Sequence, residues 1–342
     1  MKNNLNDIEK VAGCIVLYKN IGISSRKEID KVSRILKEKT GHIGTLDPNA
    51  SGVLPCLIGK ATKLSNYLIT HRKKYYVEFV LGYETDTLDL EGKVVFKDDN
   101  LNDNNNLKYT DEEIIESILK EKRKKKQIPP VFSAKKIDGK KLYDIAMEDY
   151  DLALELATKR AKEITIYDIQ DIVIKREKKK EGAEEVEIKI ALNLEVSGGT
   201  YIRAFVRDVA YNLGTYATVT KLERTSVANM TKDDAIVLKD DIRLEGLEKE
   251  LEREKEKNII LDNMIPEEEL LKEVTENSIY ITEDRKDKFL NGLDTNMETR
   301  YGKYYEDGIY IVYFKKEIVG LGIVKNNNLK REYIVTKYDK WW

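Results

Sequence analysis

The apolar positions near the start of the chain change from a continuous run to a helical spacing. Residues 13–19, GCIVLYK, form an apolar run of strand length and predict a buried strand. Ser24 or Ser25 can cap a helix that follows over about residues 25–38. The face that this helix would bury carries Ile29, Val32, Ile35 and Leu36. A strand and an amphipathic helix therefore open the predicted fold.

Strand and helix patterns continue to follow one another along the chain. Residues 75–81 alternate with a period of two, which predicts a strand with one apolar face. That face carries Tyr75, Val77, Phe79 and Leu81. Further strands are predicted at about 163–174, 186–196 and 216–226, with a helix over 200–213. The pattern predicts a domain that contains both strands and helices.

A change in composition divides the chain into two parts. Residues 240–257 are strongly charged and predict a connector that is helical in part. Beyond it, the apolar segments Ile309–Phe314 and Ile318–Val324 predict a hairpin in a small β-rich domain. We therefore expect one domain over 1–240, a connector over 241–262 and a second domain over 263–342.

Composition narrows the class of protein. The chain has 342 residues, enough for a sizeable core, and its first ten residues are too polar for a secretion signal. Apolar runs of membrane-spanning length are lacking, so we expect a soluble, cytoplasmic protein. Only two cysteines and two histidines occur, which argues against disulfides, a zinc site and a His-based triad. Metal chemistry is therefore not expected.

The charge of the chain is balanced overall but uneven locally. Sixty basic and 62 acidic residues give a formal net charge of −2. Basic clusters nevertheless occur at 122–126, 135–141 and 175–180. Any one of them could be a solvated face, although a nucleic-acid groove needs only a local positive field.

One stretch is poor in charge and holds a single acid. Residues 41–64, GHIGTLDPNASGVLPCLIGKATKL, contain Asp47 and no other carboxylate. Nearby glycines leave the backbone free to turn, whereas Pro48 restrains Asp47 towards an extended conformation. The pattern indicates one carboxylate held in a fixed direction.

Four blocks of the sequence resemble the TruB family of tRNA pseudouridine synthases. The stretch around Asp47 is similar to the family pattern GHxGTLDPxAxGxLxxxxGxATK. The other blocks follow in the family's order: KKYYVEFVLGYETDTLD at 73–89, QIPPVFSAKKIDGKKLYDIA at 127–146 and GGTYIRAFVRDVAYNLG at 198–214. The resemblance covers about residues 13–230, and the C-terminal region is similar to a PUA-like RNA-binding domain. It implies an α+β catalytic domain on a mixed, mainly antiparallel sheet with flanking helices and a thumb-like insertion at about 127–150.

The resemblance implies one reaction and one partner. The family breaks the glycosidic bond of uridine 55 in the T-loop of tRNA, turns the base and rejoins it through C5 as pseudouridine. Asp47 would be the nucleophile, at C1′ of the ribose or at C6 of the base. No cofactor is implied, and the expected partner is the T-arm of tRNA. We expect a monomer that needs neither a membrane nor a protein partner.

Two more side chains are implied in catalysis. Arg203, in GTYIR, is similar to the family arginine that pairs with the aspartate, although alone it would read as a surface arginine. A guanidinium favours the ionised carboxylate and fixes its direction. Tyr75 lies where the family places the tyrosine that stacks on the flipped base, although most tyrosines are half-buried packing residues.

Substrate contacts are implied in the same way. His42 would fill the gap left by the base, Tyr201 and Leu222 would line the pocket, and Asp89 would hold other side chains. Each has a plainer alternative as a loop histidine, a core residue or a loop cap. Phosphate contacts are implied for thumb lysines: Lys135, Lys136, Lys140 and Lys141.

One departure from the family pattern and two other functions complete the prediction. Residues 197–199, Ser-Gly-Gly, replace the Ser-Lys pair that often precedes GTYIR, which would remove a phosphate contact. The chain could instead be the catalytic subunit of a guide-RNA-dependent pseudouridylation complex, but the thumb-like block argues against this. It could also be a tRNA-folding chaperone for which modification is secondary.

Overall fold

The computed structural model describes residues 11–99, 101–103, 106–132, 136–137, 140–178, 186–239, 246–297 and 304–338. Its α-helices are α1 Ser25–Leu36, α2 Ser65–Leu68, α3 Asp111–Glu121, α4 Leu142–Glu148, α5 Tyr150–Lys159, α6 Ile202–Leu213, α7 Gly246–Asp262, α8 Glu267–Val274 and α9 Glu283–Leu290. Short 3-10 helices occur at Gly59–Leu64 and Thr336–Tyr338.

The strands fall into a large N-terminal group and a smaller C-terminal group. The N-terminal strands are β1 Gly13–Lys19, β2 Thr40–His42, β3 Ala50–Ile58, β4 Lys73–Leu81, β5 Tyr83–Thr85, β6 Val94–Lys97, β7 Asn102–Asp103, β8 Asn106–Leu107, β9 Lys126–Gln127, β10 Lys136–Ile137, β11 Lys140–Lys141, β12 Lys162–Glu163, β13 Ile166–Lys178, β14 Val186–Val196, β15 Ala217–Val227, β16 Met230–Thr231 and β17 Ile265–Pro266. The C-terminal strands are β18 Ser278–Ile281, β19 Thr295–Asn296, β20 Gly308–Phe314, β21 Glu317–Lys325 and β22 Asn328–Ile334.

A nine-stranded sheet forms the centre of the N-terminal part. Its main order is β13–β14–β4–β15–β3–β1–β17, with β2 beside β3 and β16 beside β15. The pairings are antiparallel except that β15 runs parallel to β3. This confirms the α+β class and the mixed, mainly antiparallel sheet.

Local sequence signals account for the first helix. The side chain of Ser24 accepts a hydrogen bond from the amide of Lys27, which caps the N-terminus of α1. Ile29 and Val32 are buried on the predicted face. Lys37 follows the helix in the left-handed conformation (φ 59°), which ends it.

The main core lies between the sheet and two helices. All four predicted side chains on one face of β4 are buried: Tyr75, Val77, Phe79 and Leu81. Ile114 and Ile118 of α3 and Phe205 of α6 belong to the same apolar cluster. The alternation of β4 therefore fixes which face of the sheet the two helices cover.

The charged connector is a helix that rests on the N-terminal part. Ile260 of α7 is fully buried in the main core, and Arg253 donates a hydrogen bond to the carbonyl of Arg34 in α1. The helix therefore shares the main core although its sequence is mostly polar. The sequence places the start of the second domain at about residue 263, but β17 at Ile265–Pro266 still pairs with β1 of the large sheet, so we propose that the domain begins just after β17.

The C-terminal part is a separate sheet that packs on the opposite face of the large one. Its order is β18–β20–β21–β22–β19, and the predicted hairpin is the antiparallel pair β20–β21. Leu270 of α8 and Leu321 of β21 share an apolar cluster with Val16 and Val53. None of the helices in the described ranges is long and apolar enough to cross a membrane.

Candidate active site

The loop that carries Asp47 is held on its N-terminal side by Ser25. The hydroxyl of Ser25 donates to the carbonyl of Leu46 and accepts from the amide of Leu46, each at 2.8 Å. Ser25 is buried at the first turn of α1. This reciprocal pair fixes the residue directly before the carboxylate to the start of a helix.

The loop is held on its other side by Lys19. The ammonium of Lys19 donates to the carbonyls of Asn20, Ile23 and Pro48 at 2.7–3.1 Å. Burial lowers the pKa of Lys19 to about 8, an effect opposed by the carboxylates of Glu28 and Asp47. The backbone on both sides of Asp47 is therefore anchored, and its side chain has little freedom to turn away.

Asp47 pairs with Arg203. Nη2 of Arg203 lies 2.9 Å from Oδ2 of Asp47, and the aspartate side chain is 40% exposed whereas the arginine side chain is 7% exposed. The pair thus joins a buried cation to a carboxylate that still reaches solvent. Such a carboxylate is ionised, directed and accessible, which are the properties that a nucleophile requires.

Further contacts fix the guanidinium of Arg203. Nη1 donates to the carbonyl of Thr87 at 2.5 Å, and Nη2 donates to the carbonyl of Phe132 at 3.3 Å. Oδ2 of Asp89 lies 3.7 Å from Nη1. The arginine therefore ties the β5–β6 loop and the base of the thumb-like segment to the Asp47 loop.

Asp89 both caps its own loop and faces the guanidinium of Arg203. Its Oδ1 accepts hydrogen bonds from the hydroxyl of Thr87 at 2.7 Å and the amide of Glu91 at 3.0 Å. These bonds make it a cap of its own loop, while Oδ2 faces Arg203. Because Asp89 is buried, solvent screens its interaction with Arg203 only weakly.

A cavity of about 190 Å³ opens beside the Asp47–Arg203 pair. Its polar wall includes Asp47, Asp89 and Arg203, and its apolar wall includes Leu90 and Leu222. A flat base could lie against the apolar wall with its ribose next to the carboxylate. Tyr75 is not among the described residues that line this cavity; it is 7% exposed and belongs to the main core.

His42 and Tyr201 lie on different elements, and neither is among the described residues that line the cavity. His42 ends β2 and is half-buried, and its Nδ1 is buried without a hydrogen-bond partner among the described residues. Burial, followed by the charge of Arg224, lowers the pKa of His42 below its usual value, so the imidazole is neutral at pH 7. Tyr201 is the N-cap of α6, and its backbone exchanges hydrogen bonds with the amide side chain of Gln127.

Three of the four thumb lysines lie in the short ribbon β10–β11. Lys136 and Lys141 pair through their backbones in the ribbon β10–β11, and Lys140 is exposed. Lys135 lies outside the described residues. The phosphate contacts assigned to all four stay predictions.

Four anchoring residues were missed by sequence reasoning: Lys19, Ser25, Gln127 and Arg224. Arg224 is 1% exposed and donates to the carbonyls of Val53 and Gly44 at 2.7 and 3.0 Å. The sequence suggests Ser25 only as a helix cap, and Gln127 and Arg224 bind backbone atoms far away in sequence. Lys19 binds two nearby carbonyls and the more distant one of Pro48. A lysine that ends an apolar strand was the one local signal available.

Gly52 explains how β15 approaches β3. It has φ +113°, and a Cβ there would collide with the backbone of Arg224. The parallel pairing of Arg224 with Gly52 therefore requires glycine. This close approach brings Leu222 to the cavity wall opposite Ala50.

Removing the Ser25 hydroxyl should impair the placement of Asp47. We expect Ser25→Ala to lower turnover about 10-fold with little change in substrate affinity, because the residue before Asp47 loses both bonds. Single-turnover kinetics on the substrate proposed below would measure this. Ser33→Ala is the control. Ser33 lies in the same helix, and its hydroxyl donates to the carbonyl of Glu38 and not to the Asp47 loop. Equal effects of the two changes would contradict the placement role.

Comparison with known proteins identifies the family of this chain. Residues 33–202 match the family model described as TruB family pseudouridylate synthase (N terminal domain). The tRNA pseudouridine synthase B of Alkaliphilus oremlandii is 33% identical over 330 residues, covering 94% of this chain and 96% of that protein. The protein of the same name from Clostridium perfringens strain 13 is 33% identical over 314 residues, covering 92% and 98%.

Solved structures support the fold. An H/ACA RNP bound to a substrate RNA containing 2′-deoxyuridine matches with a TM-score of 0.62 and 21% identity, covering 96% of this chain and 88% of that one. A Cbf5-Nop10-Gar1 complex matches with a TM-score of 0.60 and 22% identity, covering 94% and 83%. The architecture is that of these solved structures, and the family model and the relatives identify a pseudouridine synthase. The chain belongs to the TruB family.

Among the described residues, no three His, Cys, Asp or Glu side chains are grouped so that they could hold a metal ion. The polar groups that line the cavity include the Asp47–Arg203 ion pair and the carboxylate of Asp89.

Proposed function

We propose that this protein converts uridine 55 in the T-loop of tRNA to pseudouridine, with Asp47 as the nucleophile. The pair of Asp47 with Arg203 at the mouth of a base-sized cavity is the observation that carries the proposal. The names of the relatives, tRNA pseudouridine synthase B, support tRNA as the substrate. The protein would act in the cytoplasm, without a cofactor or a protein partner.

The proposed attack depends on how Asp47 pairs with Arg203. Arg203 occupies one carboxylate oxygen of Asp47 and leaves the other free to attack C1′ of the ribose or C6 of the uracil. The C1′–N1 bond breaks, the base turns, and a C1′–C5 bond forms. The bond between the base or ribose and the Asp47 oxygen breaks to restore the carboxylate, the proton of C5 passes to water, and N1 takes up a proton. Because the uridine is stacked in a folded T-loop, it must first be everted, which costs a few kcal/mol.

The remaining assignments are part of the proposal. Leu222 lines the cavity and would support the apolar face of the everted base. Tyr75 lies outside the cavity lining, on the strand paired with β15, and would stack on the base from there. Asp89 would hold Arg203 in place. His42, as a neutral ring, would stack where the base has left, and Tyr201 would line the pocket beside α6. The thumb lysines would bind phosphates without reading sequence.

The proposal predicts activity on tRNA alone. Purified protein and an unmodified tRNA transcript, with no other RNA or protein, should yield pseudouridine at position 55 and at no other uridine. Mapping of pseudouridine by chemical labelling and primer extension would measure this. Product only after addition of a guide RNA would instead support a guide-dependent subunit. Absence of product in both cases would contradict the proposed function.

A further inference from the structure

The Ser-Gly-Gly turn at residues 197–199 is closely packed, which explains why its first glycine is needed. The amide of Thr165 donates to the hydroxyl of Ser197 at 2.9 Å, and Ser197 donates its own amide to the carbonyl of Thr165 at 2.8 Å. A Cβ at Gly198 would lie 2.5 Å from the carbonyl oxygen of Ile69. The backbone of the loop after α2 therefore occupies the space of any side chain at residue 198.

The second glycine makes room for a lysine from another strand. Gly199 has φ +82°, a conformation that favours glycine, and a Cβ there would collide with Nζ of Lys162. The ammonium of Lys162 thus lies in the space that a side chain at residue 199 would fill. The turn that lacks a lysine of its own is covered by the amino group of a distant one.

The position of Lys162 is tied to the catalytic helix. Lys162 is in β12 and pairs with Gln127 in β9. The side chain of Gln127 exchanges hydrogen bonds with the backbone of Tyr201, at 2.8 and 3.0 Å, immediately before α6. Because α6 also carries Arg203, the backbone of Lys162 has a fixed place relative to the site.

The charges around this turn are unbalanced. Lys73 is buried, and its ammonium donates to the carbonyls of Ile69 and His71 at 2.8 and 3.0 Å. Burial, followed by the charges of Arg224 and Lys162, lowers the pKa of Lys73 to about 8. Lys162 is exposed, and within the described part of the chain none of these three cations has a carboxylate partner. The ammonium of Lys162 lies beside Gly199, and that of Lys73 binds the Ile69 carbonyl that packs on Gly198. Together with the charge of Arg224 near Lys73, they form a local positive field that attracts an anion.

We propose that Lys162 binds a backbone phosphate of the RNA substrate at the Gly198–Gly199 turn. This inference rests on the proposed function, since a tRNA supplies the phosphate. Gly199 is exposed, and the ammonium beside it can approach a phosphate oxygen closely, with the charges of Lys73 and Arg224 adding attraction. Lys162 is therefore a substrate-binding residue, separate from the chemistry at Asp47.

Variants at Lys162 should change affinity and salt dependence but not turnover. We expect Lys162→Ala to raise the Kd for tRNA several-fold and to leave kcat unchanged. The slope of log Kd against log salt should fall by about 0.7 to 0.9, the value for one lost phosphate contact. Lys162→Arg should restore both the affinity and the slope, which a purely structural role would not require.

The control is Lys255→Ala, which removes an exposed lysine on α7 that lies 3.7 Å from Glu252. It should leave the Kd and the slope as in the wild type. If Lys162→Ala behaves like this control while the wild type modifies tRNA, the phosphate contact is wrong and the proposed function stands. If the wild type neither binds nor modifies tRNA, the proposed function fails instead.

Discussion

Asp47→Asn should abolish pseudouridine formation, with a fall in the single-turnover rate of at least about 10⁴-fold. The amide has nearly the same shape as the carboxylate, but it is neutral and a very poor nucleophile. Since the side chain is 40% exposed and its loop is held by backbone contacts, the fold should tolerate the change. Binding of tRNA should persist, because phosphate contacts supply most of the affinity.

Asp30→Asn is the matched control for this change. Asp30 is another aspartate paired with an arginine, at 2.8 Å from Arg26 in α1, and its side chain is 38% exposed. It should retain full activity. Complementation of a strain that lacks its own enzyme would then separate chemistry from tRNA folding. Rescue of that strain by Asp47→Asn would support the chaperone function and contradict catalysis as the main role.

Arg203→Lys should lower kcat by about 10²–10³-fold while changing the Kd for tRNA little. A lysine keeps the charge, but its single ammonium cannot reach Asp47, the carbonyl of Thr87 and the carbonyl of Phe132 together. The carboxylate would then lose its fixed direction. Parallel measurement of single-turnover rate and tRNA binding would test this expectation.

Arg207→Lys is the control from the next turn of the same helix. Arg207 pairs with Asp208 at 2.8 Å and donates to the carbonyl of Ile128 at 3.1 Å, without contacting Asp47. Its replacement should cost stability but leave turnover nearly unchanged. Comparable losses of turnover in the two variants would mean that Arg203 acts through the packing of α6 and not through the carboxylate.

Much of the fold could be predicted from the sequence because local patterns determine it. The apolar run of β1, the alternation of β4 and the cap at Ser24 each depend on residues within one element. The helix α6 begins at Ile202, two residues later than predicted, because Gln127 binds the backbone of Tyr201. The burial of Ile260 in α7 was not predicted, since one apolar contact in a charged helix gives no periodic signal.

The candidate site was predictable in part. Asp47 was identified as the single acid of residues 41–64. The assignment of Arg203 depended on a family resemblance, because residues 48–202 lie between the two side chains along the chain. Ser25, Lys19 and Arg224 act by binding backbone carbonyls across the fold, and no spacing in the sequence records such contacts. The burial of Tyr75 followed from its strand pattern, but its relation to the cavity did not.

In the proposed reaction, Asp47 attacks the uridine at position 55 of tRNA. The most direct test uses tRNA that carries tritium only at C5 of that uridine, since formation of the C1′–C5 bond must release this hydrogen to water. The wild type should release one tritium per tRNA, in step with pseudouridine formation, and Asp47→Asn should release none. Release of tritium by Asp47→Asn at the wild-type rate would contradict the role of Asp47 as the nucleophile. Pseudouridine formation by the wild type without release of tritium would contradict the formation of the C1′–C5 bond at that uridine.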